Sequence, residues 1–148
     1  MAHIHDVYDT DVYFVIDPVT RMITNQSRKA TVIQFDHNSE RFTFEIPRYV
    51  EGHDMSACNA VEVHFTNQGR NGKRSGVYPV TDISVHPTDK NRVICSWLIG
   101  EEATQQAGPL KFLVRYSCVI DGHTEYVWST APYSGITVTS GIYNGDYA

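Results

Sequence analysis

The run over residues 110–120 alternates along its whole length. Leu110, Phe112, Val114, Tyr116, Cys118 and Ile120 share one face; Lys111, Leu113, Arg115, Ser117 and Val119 share the other. Successive side chains of an extended strand point to opposite sides, so this pattern predicts a strand with one face in a core. Asp121-Gly122 follows, and both residues accept positive φ at little cost, which predicts a type I′ hairpin turn. The returning segment then sets Tyr126 and Trp128 across from the aromatics of the first strand.

The same period of two recurs along the chain. Val12, Phe14 and Ile16 alternate before Asp17-Pro18, where proline removes a ladder donor and restricts the residue before it. Residues 22–24 read as a short return strand and residues 30–35 as another, rich in Thr, Val and Ile. Phe42, Phe44 and Ile46 alternate with Arg41, Thr43 and Glu45. Residues 49–59 read as a loop with one helical turn starting near Asp54. Val61, Val63 and Phe65 point inward, with Glu62 and His64 outward. Residues 67–76, with three glycines and three basic residues, read as a mobile polar loop. Short strands follow at 77–80 and 83–85, and residues 93–99, with Trp97, read as a strand buried on both sides. Residues 101–106 are the one helical stretch, with Glu101 and Glu102 in its first turn and Gly108-Pro109 as its stop. Residues 136–139 are the last strand.

About eight to ten strands and one short helix imply two packed sheets or a closed barrel, because a single sheet would leave an apolar face open. The reading is one all-β domain over residues 1–148, an antiparallel two-sheet β-sandwich of jelly-roll or immunoglobulin-like type with a flexible tail at 141–148. Its core comprises Phe14, Ile16, Phe42, Phe44, Ile46, Val61, Val63, Phe65, Trp97, Phe112, Val114, Tyr116, Trp128 and Ile136. A chain of 148 residues supports one sizeable core. The net charge of −5 with no basic run argues against nucleic acid as the main partner. No stretch approaches the ~20 apolar residues that span a bilayer, and residues 1–8 have neither the basic nor the apolar region of a signal peptide.

Cys58, Cys95 and Cys118 are an odd number, so at least one thiol stays unpaired within a monomer. Cys95 and Cys118 sit in apolar runs, where free cysteine behaves as a small hydrophobe; a Cys95–Cys118 bridge between neighbouring strands is the alternative. Buried thiols suit a reducing compartment. No paired-cysteine metal spacing, phosphate loop or calcium loop is present. His3, His5 and Asp9 are weak metal candidates that equally suit a polar terminus. No catalytic residue, metal or cofactor is assigned; an enzymatic site, if one were built, would draw on His37 or His53.

The tyrosines outside regular alternation carry both apolar area and a hydroxyl, which suits a protein interface or a sugar-binding face. Interface candidates are Tyr8, Tyr13, Tyr49, Tyr133, Tyr143 and Tyr147, with Ile142, and the basic group Arg70, Lys73 and Arg74 that suits a partner's acidic surface. The β-rich ends favour edge pairing with a neighbour.

Several segments occur in an order that resembles a known group. They are Ile-Asp-Pro at 16–18, Phe-Thr-Phe-Glu-Ile-Pro-Arg-Tyr at 42–49 and Ile-Cys-Ser-Trp-Leu-Ile at 94–99. Ala-Thr-Gln at 103–105, Gly108 with Leu110 and Phe112, and Ser-Gly-Ile at 134–136 complete the set. Together they are similar to tailed-phage and prophage structural proteins, the N-terminal domain of the siphophage baseplate upper protein. The resemblance implies a β-sandwich-like domain of the virion that anchors a host-adsorption device to the tail tip. Longer members continue into a receptor-facing region that this sequence does not carry. A non-catalytic connector or structural subunit of the baseplate or tail is therefore the expectation, made in the bacterial host cytoplasm and located in the virion. Its partners are further copies, as a homo-oligomer, and other phage tail or baseplate proteins. The alternative is a carbohydrate-binding module used in host adsorption, with a host glycan as ligand.

Overall fold

A computed structural model describes residues 12–141. Within them the chain is almost entirely strand and turn, with two short 3-10 turns, Met55–Ala57 and Glu101–Ala103. Numbered in chain order, the first sheet runs β2 (Ile23–Asn25), β1 (Val12–Ile16), β4 (Arg41–Pro47), β10 (Asp89–Leu98), β9 (Ser84–His86). The second runs β3 (Thr31–Ile33), β13 (Tyr133–Thr139), β11 (Gly108–Ile120), β7 (Ala60–Gly69), β8 (Gly72–Val80), and β12 (His123–Ser129) also pairs with β11. A small ladder joins β5 (Tyr49–Val50) to β6 (His53–Asp54).

Not every pairing is antiparallel, as the alternation alone suggested. β1 pairs β4 and β3 pairs β13 in parallel. The cause is the route of the chain. Between β1 and β4 it visits β2 and then β3 in the other sheet, and it re-enters the first sheet running the same way as β1. Parallel neighbours need such a crossover rather than a hairpin.

Residues of both sheets share one buried cluster. Phe112 of β11 is its hub: its ring lies 5.5 Å from Phe14, 5.9 Å from Phe42, 5.7 Å from Phe44 and 5.4 Å from Trp97, all in the first sheet. Every side chain assigned to the core from its alternation is buried. The face of β11 leaves the core at its far end, where Cys118 is half-buried and Ile120 is 58 % exposed. The ladder to β7 ends at Ser117–Ala60, and a bulge at Cys118/Val119 turns the strand away. Asp121 and Gly122 close the β11–β12 hairpin at φ 52° and 78°, the two positive values that the type I′ turn requires.

Two further expectations are corrected. Residues 67–76 are not a mobile loop but the tip of a long β7–β8 hairpin, paired through Gln68–Lys73 and Gly69–Gly72. Glycines and cations disguise the strand, and a buried amide pair fixes it. The Asn67 side chain donates to the Gln106 carbonyl (3.0 Å) and accepts from the Gln106 N–H (2.9 Å). The Gln106 side chain donates to the Gly72 carbonyl (2.8 Å) and accepts from the Asn71 N–H (3.0 Å). Gly108 next to it has φ 143°, and a Cβ there would run into the Gln68 carbonyl oxygen. The helix expected at 101–106 is only the 3-10 turn Glu101–Ala103. Gly100 at its start offers no side-chain cap, and so short a segment cannot repay helix nucleation. The turn near Asp54 is present, with the Asp54 carboxylate accepting the Ser56 N–H at 3.0 Å.

Candidate assembly surface

The register of the second sheet separates its two hairpin tips. The β7–β8 turn lies beyond Asn67–Leu110, and the β11–β12 turn lies beyond Ala60–Ser117. At roughly 3.3 Å per residue, the stretch of β11 between these two pairs alone spans about 23 Å, and each turn lies beyond its pair, so the tips stand at opposite ends of the sheet.

One tip is basic. Arg70, Lys73 and Arg74 are all exposed on it, and no ion pair joins any of them to another described residue. Phe35 belongs to the same end. Its N–H donates to the Thr104 carbonyl at 2.9 Å, and Ile33 before it pairs with Thr139 at the end of β13 that faces Gly108. Phe35 is 62 % exposed and has φ 74°. A bulky side chain held in the left-handed region is uncommon and costs on the order of 1–3 kcal/mol. Glu101 and Glu102 on the neighbouring 3-10 turn offset part of the positive charge at this end.

The other tip is acidic. Asp121 and Glu125 are exposed there, beside the exposed Ile120. Glu51 adds a third carboxylate, accepting from the Tyr126 hydroxyl at 3.3 Å and pairing with Arg21 at 3.5 Å. His53 stacks on the Tyr126 ring at 3.6 Å, and the Arg21 guanidinium lies 4.8 Å over Trp128. Partial burial, and then the charge of Glu51, push the Tyr126 phenol up to about 12. Arg48 and Asp54 brace the loop behind them at 3.2 Å, and the hydrogen bond from Arg48 holds the Asp54 carboxyl below its ordinary range.

Between the tips, the outer face of the sheet carries an open groove of about 500 Å³. Val77, Leu113 and Pro132 make its apolar floor, and His64, Thr66 and Lys111 edge it. His64 on its margin lies 2.9 Å from Glu62.

The other interface candidates fare differently. Tyr13 is half-buried, and its hydroxyl donates to Glu45, whose second oxygen accepts from Arg92 at 2.6 Å. Tyr49 is 60 % exposed, with the Arg48 guanidinium 5.5 Å over its ring. Tyr133 packs on the core, 5.2 Å from Phe14 and 5.4 Å from Phe112. Tyr8, Ile142, Tyr143 and Tyr147, with the metal candidates His3, His5 and Asp9, lie outside the described residues. Of the two histidines weighed for catalysis, His37 accepts the Glu101 N–H at 2.8 Å and His53 is the ring stacked on Tyr126. Among the described residues no group of three His, Cys, Asp or Glu could hold a metal ion, and no helix is long and apolar enough to cross a membrane.

All three thiols are free. Cys95 and Cys118 do not approach each other from neighbouring strands as the alternative bridge requires, because β10 and β11 belong to different sheets. Cys118 lies against Cys58 instead, at 3.5 Å. The acidic end, the strained Phe35 and this thiol pair were absent from the sequence reading. Only the tertiary register brings their parts together. Compared with known proteins, the chain matches no family model and no curated sequence.

Proposed function

We propose that the protein is a non-catalytic structural subunit that assembles head to tail with copies of itself, as a connector in a phage tail or baseplate. The observation that carries this reading is the pair of oppositely charged hairpin tips at the two ends of one sheet. Each end also has an exposed apolar residue, Phe35 with the basic tip and Ile120 with the acidic one. Complementary ends on one molecule make a heterologous contact, which closes into a ring or grows into an open chain according to its rotation. Charge steers the encounter and fixes the register, while the apolar residues supply contact area. The tail setting and the partnership with other tail or baseplate proteins rest on the family resemblance. Phe14–Phe112 and the neighbouring ring contacts between sheets support a sandwich of jelly-roll or immunoglobulin-like type. A glycan-binding face is the weaker reading. It calls for a row of surface tyrosines, whereas Tyr49 is the one exposed tyrosine among the described residues.

Two charge reversals test the assembly. Lys73→Glu with Arg74→Glu makes both ends acidic, and Asp121→Lys with Glu125→Lys makes both basic. Each variant alone should stay monomeric by light scattering, and an equimolar mixture should associate again. Self-association of either variant alone at the wild-type level, or a mixture that stays monomeric, overturns the proposal.

A further inference from the structure

We infer that Cys58 and Cys118 form an intramolecular disulfide by exchange with a small-molecule disulfide such as oxidised glutathione. The two sulfurs are 3.5 Å apart, in contact but not bonded. The backbone around them is set in place. The Asn59 N–H donates to the Ser117 carbonyl at 3.1 Å. The Asn59 side chain accepts the Val119 N–H at 2.8 Å and donates to the Val119 carbonyl at 2.7 Å. These bonds tie the segment before β7 to β11 on both sides of Cys118, so joining the sulfurs needs a shift of side chains rather than of strands.

The two thiols differ in access, which assigns their roles. Cys118 is half-buried and Cys58 is 2 % exposed. Cys118 thiolate attacks one sulfur of the glutathione disulfide, forming a mixed disulfide and expelling the first glutathione thiolate. Cys58 then gives its proton to solvent and attacks the Cys118 sulfur, expelling the second. Two protein thiols are oxidised by two electrons, and one glutathione disulfide is reduced to two thiols. Burial pushes the Cys58 thiol up to about 12, so the second step quickens as pH rises. Cys95 has no place in this chemistry. It is buried, with the Tyr116 hydroxyl 3.9 Å from its sulfur, and its thiol is likewise pushed up to about 12 by burial.

The bridge closes a loop between residues 60 apart in sequence. Loop closure of that length should raise the melting temperature by roughly 10 °C. The experiment incubates the full folded chain with oxidised glutathione and reads intact mass, a peptide map and the melting curve. The expected product is a monomer lighter by two hydrogens, with a Cys58–Cys118 cross-linked peptide and the higher melting temperature. Cys95→Ser should react as wild type, and Cys58→Ser should stop at a glutathione adduct on Cys118. A stable adduct on Cys118 in the wild type, a bridge involving Cys95, a bridge only between chains, or recovery of all three thiols unreacted overturns the inference.

Discussion

Phe112→Ala should be among the most damaging single truncations in the molecule. The ring is 1 % exposed and meets Phe14, Phe42, Phe44, Trp97 and Tyr133 within 5.9 Å. Burying such a side chain stabilises the fold by about 1.5–3 kcal/mol. The cavity left behind adds to that loss, because its walls belong to both sheets and cannot close on it. β11 is held by β7 on one edge and β13 on the other, so its backbone cannot move into the space. A total of about 4 kcal/mol follows, near the middle of the range for Phe→Ala in packed cores. At a urea slope of about 2 kcal/mol per molar, the unfolding midpoint should fall by about 2 M. Ile120→Ala is the matched control. Ile120 lies on the same alternating face but is 58 % exposed, so its truncation should cost below about 0.5 kcal/mol. Equal losses at the two positions, or a loss below about 1 kcal/mol at Phe112, would refute the shared core.

Other outcomes follow from the same structure. Gly108→Ala should destabilise by more than about 1 kcal/mol in urea unfolding, because φ 143° is strained for any side chain and the Gln68 carbonyl occupies the space. Gln106→Ala removes bonds that hold the β7–β8 tip and should cost about 1–3 kcal/mol, with amide exchange rising first at Asn71. Alkaline pH should weaken the fold. Burial raises the Cys58 and Cys95 thiols from 9.0 to about 12, and burial with Glu51 raises the Tyr126 phenol from 10.0 to about 12. The unfolded chain loses these protons first, so the native state binds more protons between those values. These three groups leave the urea midpoint unchanged below about pH 9 and should make it fall as pH climbs towards 12. Glu51→Gln should bring the Tyr126 phenol back towards 10.0 in an absorbance titration of phenolate.

Alternation made the strands legible because the packing of one face is written into every second residue. Phe42, Phe44 and Ile46, and the run from Leu110 to Tyr116, show this directly. The β7–β8 tip was hidden because its strand character comes from partners rather than from its own side chains. Gly72, Lys73 and Ser75 are poor strand formers held by cross-strand pairing and by Gln106. The parallel neighbours of β1 and β13 were also illegible, since nothing local in a strand names a partner reached through a crossover. The basic group Arg70, Lys73 and Arg74 was visible as composition. Its counterpart at Asp121 and Glu125 was not, because only the register sets the two tips at opposite ends of the sheet.

Sedimentation velocity of the unmodified chain across concentration and salt tests the assembly most directly. Head-to-tail contact between charged tips predicts a sedimentation coefficient that climbs with concentration beyond that of a dimer at low ionic strength, and that falls back as added salt screens the tips. A single monomer boundary at every concentration in low salt, or association that salt leaves unchanged, would contradict it.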